Sequence, residues 1–234
     1  MNGFDNTSAV AIVTGASRGL GRAIAAALLD RGWTVVGDAR RDLHAAASAL
    51  HSPRLIAIPG DVSDPSHRDA VVGAARAAGT LRLLVNNASA LGPSPRPRLA
   101  DYPLTELRTV YEVNVVAPLA LAQAALPALT AAGGVIVNVT SDAAVEAYPG
   151  WGGYGSSKAA LDQLSSVLAA ESDAVTVYAF DPGDMRTEMH QAAFPGEDIS
   201  DRRKPETVVP AVLELLDSGA PSGRYRASDL RPSA

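Results

Sequence analysis

From residue 9 to residue 227, short apolar runs alternate with longer stretches of helical periodicity, and that alternation leaves few architectures open. Ala9–Val13, Trp33–Gly37, Leu55–Ile58, Leu81–Val85, Val135–Val139 and Val175–Phe180 read as buried strands, and Arg224–Ala227 as a short edge strand. Gly21–Arg31, Asp42–Leu50, a segment from Asp64-Pro65 to about Ala78, Leu104–Leu129, Tyr154–Glu171 and Pro205–Asp217 read as the helices. Proline is preformed for a first helical turn, so Asp64-Pro65 marks a start, while Pro118 and Pro127 predict kinks in the long fourth helix. Helices between consecutive strands require right-handed crossovers. The result is an α/β fold, a doubly wound parallel sheet flanked by helices on both faces. The Pro-rich Leu91–Pro103 reads as a loop, because the alternation resumes beyond it, so 1–234 is expected to form a single domain.

Such a sheet binds ligands beyond the carboxyl ends of its strands. Composition narrows what those ligands can be. A formal net charge of −5 lacks the basic stripe of a nucleic-acid surface. The chain has no cysteine, which excludes thiolate metal sites and disulfides and fits a cytoplasmic setting. His44, His51, His67 and His190 show no ligand spacing, so no metal site is expected. Met1–Ser8 has neither the basic nor the apolar region of a signal peptide, and no run of 18 apolar residues suggests a membrane span.

The residues able to do chemistry stand where the sheet would use them. Thr14-Gly15-Ala16-Ser17-Arg18-Gly19-Leu20-Gly21 follows the first strand and opens a helix, so its glycines would let backbone N–H groups approach a pyrophosphate. At the end of the second strand, Asp38 suits ribose hydroxyls and Arg40 a 2′-phosphate; with Arg18 and Arg41 nearby, the phosphate reading is favoured. Asp61 could accept from an adenine amino group, although helix capping by Ser63 or Asp64 is the plainer use of that turn. Asn86-Asn87-Ala88 ends the fourth strand, where amides either satisfy strand-end backbone or bind ribose. Asn114 interrupts an apolar helical run, so it bonds backbone locally or holds a water chain. Ser141 ends the fifth strand and could donate to a substrate carbonyl or simply serve its turn. Tyr154 and Lys158 stand at i and i+4 on one helical face, an arrangement expected to lower the phenol pKa by about 1–3 units.

In this order and spacing, Thr14–Gly21, Asp61, Asn86-Asn87-Ala88, Asn114, Ser141, Tyr154, Lys158 and Pro182-Gly183 resemble the short-chain dehydrogenase/reductase family over about residues 9–217. The resemblance implies a Rossmann-type domain and an oxidoreductase that moves a hydride between NADP(H), favoured over NAD(H), and a ketone or secondary alcohol. It implies an Asn114–Ser141–Tyr154–Lys158 tetrad. Ser141 and Tyr154 would hold the substrate oxygen, with Tyr154 as general acid or base. Lys158 would bind the nicotinamide ribose and depress the Tyr154 pKa, and Asn114 would anchor a water relay. Besides Tyr154 and Lys158, the implied cofactor contacts are Gly15, Ser17, Arg18, Gly19, Leu20, Gly21, Arg40, Arg41, Asp61, Val62, Asn87, Ala88, Pro182, Gly183 and Thr187. A homodimer or homotetramer through the long helices is implied too.

Two departures from the family pattern stand out. Ser89 occupies a position where glycine is usual, with no evident chemical cost, and Ser222–Ala227 replaces a glycine-ended final strand without touching the tetrad. Substrate walls are expected from Tyr148, Trp151, Met185, Met189 and Phe194, each of which could equally pack the lid or core, with 185–204 as a mobile lid. Gly150, Gly152 and Gly153 are expected to leave room and mobility before Tyr154. The walls suggest a small-molecule substrate with apolar flanks. A non-catalytic dinucleotide sensor or scaffold on the same fold is the main alternative. Enoyl reduction ranks lower, because family members doing it usually separate tyrosine and lysine by six residues.

Overall fold

The computed structural model describes residues 8–230; residues 1–7, on which the leader-peptide expectation falls, lie outside them. Seven strands form one parallel sheet in the order β3-β2-β1-β4-β5-β6-β7: β1 Ala9–Val13, β2 Thr34–Ala39, β3 Leu55–Pro59, β4 Thr80–Asn86, β5 Val135–Val139, β6 Thr176–Asp181 and β7 Gly223–Arg226. The helices are α1 Gly19–Asp30, α2 Leu43–Leu50, α3 Pro65–Ala78, α4 Leu104–Tyr111, α5 Ala117–Ala132, α6 Gly152–Glu171, α7 Glu188–Ala193 and α8 Val209–Ser218.

Strand β1 shows why the runs are uniformly apolar. Ala9, Ala11 and Val13 enter a core beneath α1 and α8, while Val10 and Ile12 enter a second core beneath α3 and α5. A strand covered on both faces has no solvent side on which to alternate. The order reverses between β1 and β4, so the loops after those two strands flank the crevice in which such sheets bind ligands.

The expected single helix Leu104–Leu129 is broken by a π-helical turn at Glu112–Val116, where the Ala117 N–H reaches back to the Glu112 carbonyl. Pro118 has no N–H to give to the carbonyl four residues back, so the ladder widens one turn ahead of the ring. Pro127 lies inside α5. The run Leu104–Ala132 is long and apolar enough to cross a membrane by length and composition alone, with mean hydropathy 1.7. Its Leu121, Ala122, Ala125 and Leu129 are instead buried in the core beside the sheet.

Candidate active site

The loop after β1 is shaped by close approach. Gly15 and Gly19 have φ of 67° and 55°, and a Cβ at Gly21 would lie 2.3 Å from the Asn87 amide nitrogen and 2.4 Å from the Gly15 carbonyl. Only glycine lets α1 begin this near the turn. The Asn87 amide donates to the Thr14 carbonyl at 2.8 Å, and the Thr14 hydroxyl accepts from the N–H groups of Asn87 and Ala88 at 2.9 Å each. Asn86 turns into the core and donates to Asn138 at 2.8 Å, so both amides serve strand ends. No side chain caps α1, whereas Asp64 caps α3 and Thr187 caps α7. The first turn of α1 therefore offers the cavity donors that suit an anion.

Asp38, one of the two competitors for the ribose position, is buried and already engaged. It accepts from the Gly15 N–H at 3.0 Å and pairs with His67 at 3.1 Å. Arg40 sits 3.7 Å from Asp61. Asp61 also accepts from the Ser63 N–H and hydroxyl at 2.9 and 2.8 Å, the turn-capping use rather than a free acceptor. Burial works against the Asp61 charge, but the Ser63 bonds, Arg40 and His67 together hold its carboxyl below the ordinary range. Arg18 pairs with Glu188 of α7, and Arg41 is exposed at the same rim. The three guanidiniums line one cavity but do not converge unpaired on one point.

That cavity, of about 1160 Å³, runs from Gly15, Ser17, Arg18, Gly19, Leu20, Arg40, Arg41, Asp61 and Val62 past Asn87, Ala88, Pro182, Gly183 and Thr187 to Ser141, Tyr154 and Lys158. The Lys158 ammonium is buried, donates to the Val139 carbonyl at 2.7 Å and lies 5.6 Å from the centre of the Tyr154 ring. Burial lowers the Lys158 pKa to about 8, against the pull of Asp162. The expectation for Tyr154 is reversed: burial pushes its phenol above the usual value, with hydrogen bonding from Ser89 and Ser141 opposing the rise and Asp181 and Asp142 adding to it. Helical spacing brings the lysine near the ring, with one ammonium N–H on the Val139 carbonyl, but desolvation of the phenol outweighs that proximity.

Asn114 is saturated within the protein. Its oxygen accepts from the Ala90 N–H at 2.7 Å and the Ser89 hydroxyl at 3.1 Å, and its amide donates to the Ala90 carbonyl and the Ser157 hydroxyl at 2.9 Å each. The local-bonding alternative therefore describes this side chain, which has no amide proton left for a water chain.

Tyr148, Trp151, Met185, Met189 and Phe194 line the same cavity. Trp151 stands edge-on to Tyr154 at 5.7 Å between ring centroids, and the Arg96 guanidinium lies 4.1 Å from the Trp151 ring and 4.6 Å from Phe194. The Tyr148 hydroxyl donates to Asp142 at 3.1 Å. Within the expected lid, α7 is a helix unforeseen in the sequence, and a Met185–Arg203 bridge closes the base of the segment. Gly152 and Gly153 begin α6, and a Cβ at Gly153 would lie 2.3 Å from the Tyr102 ring, so close packing and not mobility requires glycine there.

A family model described as short chain dehydrogenase matches residues 9–198. The chain belongs to the short-chain dehydrogenase family. The chain is 40% identical over 172 residues to short chain dehydrogenase asqE of Emericella nidulans, a match spanning 69% of this chain and 64% of that relative. It is 30% identical to a benzil reductase ((S)-benzoin forming) of Bacillus subtilis, over 91% of this chain and 95% of the relative. Among solved structures, an alcohol dehydrogenase from Thermococcus sibiricus complexed with 5-hydroxy-NADP superposes with a TM-score of 0.83 at 28% identity, covering 96% of this chain and 99% of that one.

Several residues at the site were not anticipated from the sequence. Ser89, read as a departure without chemical cost, is hydrogen-bonded to Asn114 and acts on the Tyr154 phenol. His67 and Glu188 are visible only through their partners, Asp38 and Arg18. The departure at Ser222–Ala227 does reach the site, because Arg224 donates to the Ser141 carbonyl at 2.9 Å. In sequence, the two departures from the family motif were the available signal for Ser89 and Arg224.

Proposed function

We propose that the protein is an NADP(H)-dependent carbonyl reductase or alcohol dehydrogenase acting on a ketone or secondary alcohol with apolar flanks. The observation that carries this reading is the shared cavity, in which an uncapped helix start at one end meets Ser141, Tyr154 and Lys158 at the other. The dinucleotide, when bound, would supply or accept the hydride. The residues present suit it: bare glycine backbone and the α1 N-terminus for the pyrophosphate, Asn87 and Ala88 along the crevice, and Lys158 for ribose.

Tyr154 holds its proton at neutral pH, because burial raises its pKa, and so is equipped to donate to a substrate oxygen as that oxygen becomes an alkoxide. Ser141 would hydrogen-bond the same oxygen and fix the carbonyl's orientation, and the nearby Lys158 charge would favour the phenolate left behind. In alcohol oxidation the same phenol, ionised, would take the hydroxyl proton. Trp151, Met185, Met189 and Phe194 offer apolar walls and would exclude water.

The phosphorylated cofactor is favoured because Asp38 is internally engaged, while Arg18, Arg40 and Arg41 stand at the rim. A 2′-phosphate would draw Arg18 and Arg40 from Glu188 and Asp61. We further propose a cytoplasmic homodimer or homotetramer, with Leu104, Val116 and Val167 as exposed apolar groups along α4 to α6. Oxidation of NADPH and NADH against a panel of ketones, aldehydes and quinones tests the reading. Turnover of apolar-flanked carbonyls with NADPH supports it; preference for NADH, or activity only on small charged carbonyls, contradicts it.

A further inference from the structure

The strand that departs from the family pattern carries a side chain into the back of the site. Arg224 of β7 donates from Nε to Asp162 Oδ2 at 3.0 Å, and from Nη2 to the Ser141 carbonyl at 2.9 Å and to Asp181 Oδ2 at 3.0 Å. Each acceptor belongs to a different part of the machinery. Ser141 bears the hydroxyl beside the Tyr154 phenol. Asp162 lies one helical turn beyond Lys158 in α6. Asp181 ends β6, and its other oxygen accepts the Gly183 N–H at 3.0 Å, which shapes the Pro182-Gly183 turn on the cavity wall. Arg226 adds a weaker contact, 3.7 Å from Asp181.

The side chains of Arg224, Asp162 and Asp181 are 24%, 16% and 4% exposed, so their charges are shielded from water and act on one another. A guanidinium is a planar fork with fixed N–H directions. Meeting three acceptors at 2.9–3.0 Å, it sets the end of β5, the Lys158 helix and the end of β6 relative to one another.

We infer that Arg224 is a positioning residue for the reaction, holding the Ser141 peptide and the Asp181 turn in place while balancing the two carboxylates behind Tyr154 and Lys158. The inference rests on the acid–base role proposed for Tyr154. The groups facing that phenol are Lys158 on its own helix, Ser89 after β4, Ser141 and Asp142 after β5, and Asp181 at the end of β6. Lys158 in turn faces Asp162 and the Val139 carbonyl. Asp181 and Asp142 disfavour the phenolate, and Asp162 favours the ammonium. Without the guanidinium, Asp181 keeps only the weaker Arg226 contact and Asp162 loses its ion-pair partner, so both carboxylates act more strongly on the site. Phenol and ammonium then both hold their protons to higher pH.

The test is the pH dependence of carbonyl reduction and alcohol oxidation in wild type, R224M, R224K and R224M/D181N, with NADPH binding and thermal melting measured alongside. R224M is expected to lose about tenfold in kcat and to shift the oxidation limb upward by about half a pH unit or more. R224K, which restores charge but not the fork, should keep the wild-type midpoints with a several-fold lower kcat. R224M/D181N also removes the carboxylate of the pair that disfavours the Tyr154 phenolate, and should return the oxidation limb to its wild-type position. A folded R224M with wild-type midpoints overturns the inference. If R224M does not fold, R224K decides, and wild-type kcat in R224K overturns it. A wild type that turns over neither carbonyl nor alcohol contradicts the proposed reaction, and the inference falls with it.

Discussion

The same substitution, glycine to alanine, should act in opposite directions in two helices of this protein. At Gly21 the new Cβ falls 2.3 Å from the Asn87 amide nitrogen and 2.4 Å from the Gly15 carbonyl. The amide can swing aside, but the carbonyl is backbone, and it is about 1 Å short of ordinary contact. Relief requires the phosphate loop and the start of α1 to separate, which breaks the Asn87–Thr14 bond. Overpacking of this kind costs about 1–3 kcal/mol. If the strain is carried by the loop, dinucleotide affinity drops by about 5- to 150-fold. At Gly73, inside α3, nothing lies within 4 Å of the added Cβ. There alanine gains about 0.5–1 kcal/mol through helix propensity, which raises Tm by about 1–4 °C in a domain of this size. Fluorescence titration with NADPH and thermal melts of both variants provide the comparison. A G21A protein with wild-type affinity and Tm would refute the close-approach argument.

Other perturbations address the site group by group. Lys158 is charged below its lowered pKa of about 8 and neutral above it, while Tyr154 keeps its proton across that range, so carbonyl reduction should be level near neutrality and fall by about tenfold per unit well above pH 8; a rate rising through pH 8 would contradict the assignment. S89A removes a donor from Asn114 and a hydroxyl from the phenol, so kcat should fall by about two- to tenfold with little change in Tm, read by steady-state kinetics and melting. D38A strips partners from the Gly15 N–H and His67 and should cost about 1–3 kcal/mol, whereas D38N, which keeps an acceptor for Gly15, should cost less in denaturant titration.

How much of this was legible in the sequence depended on whether a feature is local. β1 and β5 were readable to the residue, because strands buried on both faces are apolar almost throughout, with Asn138 the single polar residue of the two. β7 was displaced by one position, since a half-exposed edge strand has a weaker signature. α7 is only six residues long, too short to show helical periodicity. Pro118 predicts a kink at its own position, whereas the helix is interrupted one turn earlier, at Glu112–Val116, because proline acts on the carbonyl four residues behind it. At the site, the residue types at strand ends were readable, but their partners were not. Asp38 with His67, Arg18 with Glu188, and Arg224 with the Ser141 carbonyl are 29, 170 and 83 positions apart, so only the folded sheet brings them together. The Tyr154 pKa had the wrong sign for the same reason. Helical spacing reports the neighbouring lysine, whereas desolvation depends on what covers the ring.

The central claim is that Tyr154 is the proton donor of a working oxidoreductase, and Tyr154→Phe tests it most directly. The substitution removes one hydroxyl from the cavity and leaves the phosphate loop, Lys158 and the apolar walls in place. NADPH binding by fluorescence and carbonyl-dependent NADPH oxidation should be measured on the same preparations of wild type and variant. Y154F is expected to bind NADPH as wild type does and to lose about a hundredfold or more in turnover. Wild-type turnover in Y154F, or no carbonyl-dependent NADPH oxidation by wild type while NADPH binding persists, would contradict it; the latter would favour a dinucleotide sensor.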